Sequence, residues 1–205
     1  MTPLPSRLIF LPGASGNTDF WRPAAQHLAH RAQQLHMGWP GFGSTPADPD
    51  VHGMDDLVSR LLPHIDQPTA LVAQSMGGIV AVRAALEKPE HITHLVLSVT
   101  SGGVNMPAFG ARDWRSAFTA EFPSLPRWFI DDHSDLSDRM AELQMPVLLL
   151  WGDNDPISPV NVGEHLARLL PKAALHVLPN AGHDLGLSHA AQVAGLIDEH
   201  LLLTT

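Results

Sequence analysis

Apolar positions along the chain fall into six short blocks: RLIFL at 7–11, QQLHM at 33–37, TALVA at 69–73, ITHLVLSV at 92–99, PVLLLW at 146–151 and ALHVL at 174–178. Most are apolar throughout instead of alternating, the pattern of strands covered on both faces, as in a parallel sheet. Between them the spacing changes to that of amphipathic helices. One is predicted near 19–32, where Phe20, Ala24, Leu28 and Ala32 share a face, and others near 54–65, 77–88, 159–170 and 188–202. Ser158 followed by Pro159 reads as an N-cap with proline in the first helical position, and Ser188 as a second cap. Strand and helix alternate, which predicts an α/β fold: a three-layer, doubly wound sandwich of about six parallel strands with helices on both faces.

One interval breaks the rhythm. Residues 101–144 contain no convincing strand, yet hold six of the twelve aromatic residues, including Trp114, Phe118 and Phe122 at helical spacing. The segment at about 103–143 therefore reads as a short helical lid inserted into one domain spanning 1–205. Its aromatic stripe either lines a substrate cleft or pins the excursion to the body.

Composition narrows the function. A chain of 205 residues, 44% hydrophobic, is long enough to bury a substantial core. No apolar run approaches the length of a membrane span, and MTPLPSRLIFLPG breaks too early for a signal peptide, so a cytoplasmic protein without membrane contact is expected. Cysteine is absent, which removes disulfides, thiolate metal sites and cysteine nucleophiles. A formal charge of −9 with no basic cluster argues against nucleic acid as a partner. The thirteen histidines are scattered without a ligand motif; the pairs His27/His30 and His91/His94 read as surface residues, and neither metal nor cofactor is expected.

The chemically capable residues cluster just past the carboxyl ends of the predicted strands, the edge where open α/β sheets place their sites. RLIFL is followed by Pro12-Gly13-Ala14-Ser15-Gly16, and TALVA by Gln74-Ser75-Met76-Gly77-Gly78. PVLLLW is followed by Gly152-Asp153-Asn154-Asp155, and ALHVL by Pro179-Asn180-Ala181-Gly182-His183. Serine is a weak nucleophile unless a base takes its proton, histidine can do so near neutral pH, and the histidine needs a carboxylate to orient it. Ser75, Asp155 and His183 supply that set in chain order. Of the other nearby histidines, His176 reads as a packed strand residue and His189 as solvated.

These loops resemble those of the α/β-hydrolase fold superfamily, from about residue 7 to the C-terminus. AQSMG at 73–77 is similar to the nucleophile elbow G-x-S-x-G except at its first position. LPGASG, GWPGFGSTP, PVLLLWGDNDPISP and NAGHDLGLSH are similar to further loops of the same family. The resemblance implies a sheet in the order 2-1-3-4-5-6, without the family's first two strands. It implies Ser75 as nucleophile, His183 as base and Asp155 as triad acid, with Asp153 as the competitor for the acid. The backbone N–H groups of Ala14 and Met76 would form the oxyanion hole. The activity implied is that of a serine hydrolase acting on a small-molecule ester with an apolar acyl or aryl group. Thioesters, lactones, C–C bonds and peracid formation are alternatives on the same triad, as is a receptor that binds without turnover.

Overall fold

The structure, a computed structural model, describes residues 3–105, 109, 111, 115–123, 125–133 and 135–203. The six apolar blocks form six strands: β1 (Arg7–Leu11), β2 (Gln33–His36), β3 (Thr69–Gln74), β4 (Ile92–Ser98), β5 (Val147–Gly152) and β6 (Ala173–Leu178). All neighbours are parallel, and the order is β2-β1-β3-β4-β5-β6. Strands β3, β4 and β5 are buried along their whole length, as unbroken apolar runs require. The edges differ. Strand β6 has one neighbour and leaves His176 and Val177 exposed, so His176 is not the packed residue its apolar surroundings suggested.

Helices α1 (Arg22–His27), α2 (Met54–Leu61), α3 (Met76–Glu87), α4 (Arg115–Glu121), α5 (Val160–Leu169), α6 (Leu185–Ser188) and α7 (Ala190–Leu201) complete the chain. In α2 the buried residues Met54, Leu57, Val58 and Leu61 follow helical spacing and dock the helix beside α3, while α1 packs with α6 and α7. Truncating a fully buried strand residue such as Leu71 to alanine would cost about 2–5 kcal/mol. Among the described residues no helix is long and apolar enough to cross a membrane.

Several local expectations are corrected by the structure. The helix predicted over 19–32 stops at His27 because the backbone turns extended at Leu28. The freed N–H groups of Ala29 and His30 then donate to the Asp198 carboxylate of α7, at 2.7 and 2.9 Å. The final helix is divided at His189 into α6 and α7, and Ser188 belongs to α6 instead of capping α7. Pro159 occupies the N-cap position of α5, so Ser158 does not cap it either. His94 is fully buried, with Nε2 bonded to Leu203 O at 2.9 Å and its ring edge-on to His200, and is not a surface residue.

Between β4 and β5 the described residues contain α4 and two 3-10 turns, Arg127–Phe129 and Ser137–Glu142. Trp114 lies outside the described residues. Phe118 meets Phe122 with ring centroids 4.9 Å apart and Phe129 at 5.9 Å, and Phe129 packs edge-on against Phe42 of the body.

Candidate active site

Strand β3 passes into α3 through a single residue, Ser75, at φ 51° and ψ −121°. A non-glycine residue in such a conformation costs about 1–3 kcal/mol and persists only where its surroundings impose it. Here they do. Ser75 N donates to Ser98 O at 3.0 Å, while Ser75 O accepts from Thr100 Oγ1 at 2.6 Å and from Gly78 N at 2.9 Å. The first turn of α3 also lies against the end of β1: a Cβ on Gly77 would come within 2.5 Å of Pro12 O and 2.8 Å of Leu11 O. Ala73, where the family pattern has glycine, still belongs to β3 and pairs with Leu11 and Leu97, so its methyl sits in ordinary strand geometry.

Strands β5 and β6 bring Asp155 and His183 together. His183 Nδ1 lies 2.7 Å from Asp155 Oδ2. The Asp155 side chain is fully buried, and its other oxygen accepts from Ile157 N at 2.8 Å and Ser158 N at 3.2 Å. Three N–H donors thus offset the desolvation of one carboxylate. With a carboxylate accepting at Nδ1, that nitrogen carries the proton and Nε2 keeps its lone pair in the neutral ring. Asp153 does something else. It is exposed, and its Oδ1 accepts from Asn180 N at 2.7 Å, tying the β5 loop to the β6 loop.

Ser75 and His183 line one cavity of about 370 Å³, and Ala14 and Met76 border it too. The rest of its wall is largely apolar, from Phe20, Ile79, Val99, Phe118, Phe129, Ile157 and Leu187, with Ser15, Asn17, Ser101, Ser158 and Asp184 interspersed. Among the described residues the wall carries no lysine or arginine. Within the same limits no group of three or more His, Asp or Glu could hold a metal ion.

Three contributors were not singled out from the sequence. Gln74 is buried and donates from Nε2 to His183 O at 3.2 Å, while its Oε1 stands where a Cβ on Gly13 would be, 2.2 Å away. It therefore joins the loop after β1, the serine turn and the histidine loop. Its signal was a polar residue closing an otherwise apolar strand. Thr100 holds the serine turn, as described above. Val99, a β-branched residue at φ 43°, forms part of the wall and is held by Val99 N donating to Leu150 O at 3.0 Å.

A parallel sheet in this order, with a strand-turn-helix serine and with acid and histidine loops at the same edge, is the architecture of the α/β hydrolases. The chain belongs to the α/β hydrolase fold family, whose model matches residues 6–137 and 119–190. It is 28% identical to a pimeloyl-[acyl-carrier protein] methyl ester esterase of Chromobacterium violaceum, over 95% of this chain and 93% of that one. It is 25% identical to a 2-hydroxy-6-oxononadienedioate/2-hydroxy-6-oxononatrienedioate hydrolase of Burkholderia vietnamiensis, over 93% and 83%. Among solved structures, an esterase from Exiguobacterium antarcticum superposes with a TM-score of 0.79 at 15% identity, covering 95% of this chain and 91% of that one. That likeness is one of fold.

Proposed function

We propose that the protein is a cytoplasmic serine hydrolase that cleaves a neutral carboxylic ester with a small or medium-sized apolar acyl or aryl group. The observation that carries this reading is the strained Ser75, on the same cavity as a His183 whose Nδ1 is bonded to buried Asp155. In the proposed reaction His183 Nε2 takes the Ser75 hydroxyl proton as Oγ attacks the ester carbonyl. Asp155 holds the ring and stabilises the imidazolium. The oxyanion is received by the N–H groups of Ala14 and Met76, the latter at the N-terminus of α3. His183 then protonates the leaving alcohol, activates a water against the acyl-enzyme, and is restored as the acid leaves.

The cavity wall supports the substrate class. Its described residues are mostly apolar and include one carboxylate, Asp184, without a cation, which suits an uncharged ester better than a dioate. The methyl ester esterases among the relatives point the same way. The segment at about 103–143 acts as a short lid on this reading, since Phe118 and Phe129 from it form part of the wall.

The test is Ser75→Ala together with a fluorophosphonate probe. Wild-type protein should be labelled at Ser75 and hydrolyse p-nitrophenyl butyrate over many turnovers, and the variant should do neither while unfolding at a similar temperature. Hydrolysis by Ser75→Ala at the wild-type rate would refute the assignment.

A further inference from the structure

The turn after β1 is held by two tryptophans that come from elsewhere in the chain. Trp21, just before α1, donates from Nε1 to Leu11 O at 3.0 Å, and Trp39, in the loop after β2, donates from Nε1 to Pro12 O at 2.9 Å. The next carbonyl, Gly13 O, accepts from Gly16 N at 3.0 Å. Three consecutive carbonyls of one turn are thus fixed, two of them by buried indoles that are each 1% exposed.

This arrangement is not forced by burial alone. Trp151 is equally buried, yet its Nε1 has no hydrogen-bond partner among the described residues. An indole N–H usually finds an acceptor when buried, but nothing requires two of them to choose adjacent carbonyls of the same loop.

For two of the three carbonyls, Pro12 O and Gly13 O, the consequence lies on the other side of the peptide; the third precedes proline, which has no N–H. In a planar trans unit the C=O and the following N–H point in opposite directions, so fixing a carbonyl aims the next amide. Holding Pro12 O orients the Gly13 N–H, and holding Gly13 O orients the Ala14 N–H. The same Leu11 and Pro12 carbonyls lie so close to Gly77, one residue after Met76, that a Cβ there would stand 2.8 and 2.5 Å from their oxygens. The indoles therefore set the spacing between the turn that carries Ala14 N–H and the helix start that carries Met76 N–H.

We propose that Trp39 and Trp21 are positioning residues for the oxyanion hole, holding the Leu11 and Pro12 carbonyls at the base of the turn so that the Ala14 and Met76 amides converge on one point of the cavity. The proposal rests on the reading of Ser75 and those two amides as catalytic. Neither indole touches substrate. Their contribution is to transition-state stabilisation, which depends on donor placement at the level of tenths of an ångström to an ångström, and not to ground-state binding.

The test compares Trp39→Phe with Trp151→Phe, which removes a buried indole of the same size whose N–H has no partner among the described residues. Because Trp39→Phe also removes packing, a second protein carries 3-benzothienylalanine at position 39, an isostere in which sulfur replaces the N–H. Three quantities are read with p-nitrophenyl butyrate and an aryl trifluoromethyl ketone, whose adduct with a serine places an oxyanion in the hole: kcat, KM and the ketone Ki. Both position-39 proteins should lose about tenfold or more in kcat, with KM within about twofold and Ki rising in proportion to the loss. Trp151→Phe should leave all three unchanged.

An isostere protein with wild-type kcat, or one whose kcat falls while Ki stays constant, would overturn the proposal. Equal losses in Trp151→Phe would overturn it too. A wild-type protein that neither binds the ketone nor reacts with fluorophosphonate would instead overturn the Ser75 reading, and this one with it.

Discussion

Replacing Gly77 with alanine introduces a methyl carbon 2.5 Å from Pro12 O, 2.8 Å from Leu11 O and 3.0 Å from the Leu11 carbonyl carbon. All three are backbone atoms, and the two oxygens are already bonded to Trp21 and Trp39. No side-chain rotation relieves the contact; either α3 or the end of β1 must move. Overpacking of this kind costs about 1–3 kcal/mol, and the upper end applies because the intrusion is roughly 1 Å inside normal carbon contact distance. For a domain of this size about 3 kcal/mol corresponds to a fall in Tm of about 6–12 °C. Relief of the clash also separates the Met76 and Ala14 amides, so kcat should fall about 10- to 100-fold. Thermal unfolding by circular dichroism and steady-state hydrolysis of p-nitrophenyl butyrate measure the two effects. Ala73→Gly is the companion variant: it restores the family's glycine two residues before the serine and should change kcat less than about twofold, at a stability cost of about 0.5–1 kcal/mol for glycine in a strand. A Gly77→Ala protein with wild-type Tm and kcat would refute the seating of α3 on the β1 turn.

The two aspartates of the β5 loop should separate cleanly. Asp155→Asn should lower kcat by about 10³–10⁴-fold by presenting His183 with an amide in place of a carboxylate, whereas Asp153→Asn, which keeps an acceptor for Asn180 N, should stay within about twofold of wild type in the same kinetic assay. p-Nitrophenyl hemisuccinate should be hydrolysed with kcat/KM about tenfold below that of p-nitrophenyl butyrate, and Asp184→Asn should narrow the gap; equal rates for the two esters would refute the neutral-substrate reading. Burial, and then the neighbouring His94, push the His200 pKa down to about 4. The unfolded chain, whose histidines titrate near 6.5, therefore binds a proton before the folded one does. Stability should be whole above about pH 6.5 and fall by about 3 kcal/mol toward pH 4 from this group. Urea unfolding across that range checks it, and His200→Phe should flatten the slope; an unchanged slope would refute the assignment to His200.

The strands, their parallel pairing and the grouping of the candidate residues at one sheet edge were legible because each depends on local pattern. An apolar block ends, and the next few residues must lie at the carboxyl edge; Ser75, Asp155 and His183 all follow such ends. Asp153 and Asp155 differ in something the sequence does not display, namely which carboxylate oxygen meets His183 Nδ1 and which meets Asn180 N. The shortening of the first helix could not be read locally either, since periodicity continues to Ala32 and the interruption comes from Asp198, far along the chain. His94 looked solvent-facing beside His91, but β4 lies between β3 and β5 and is covered along its length. Ser158 carries the sequence of a helix cap, yet its amide donates to Asp155. In each case a tertiary or loop contact outweighed a local preference worth about a kilocalorie.

The Asp198 carboxylate that receives the amides of Ala29 and His30 reaches across 169 and 168 residues of sequence. On the ribosome, the N-terminal third of the chain is made long before that carboxylate exists. The end of α1 must wait with its donors on water or on transient partners until α7 has been synthesised. Strand β1 can pair early with β2, but its other neighbour, β3, begins only at Thr69 and is followed by a further crossover before β4. Closure of this fold therefore waits for α7 and is governed by contacts of high sequence separation. Of the seven helices described, the one made after all the others is the one that locks the first.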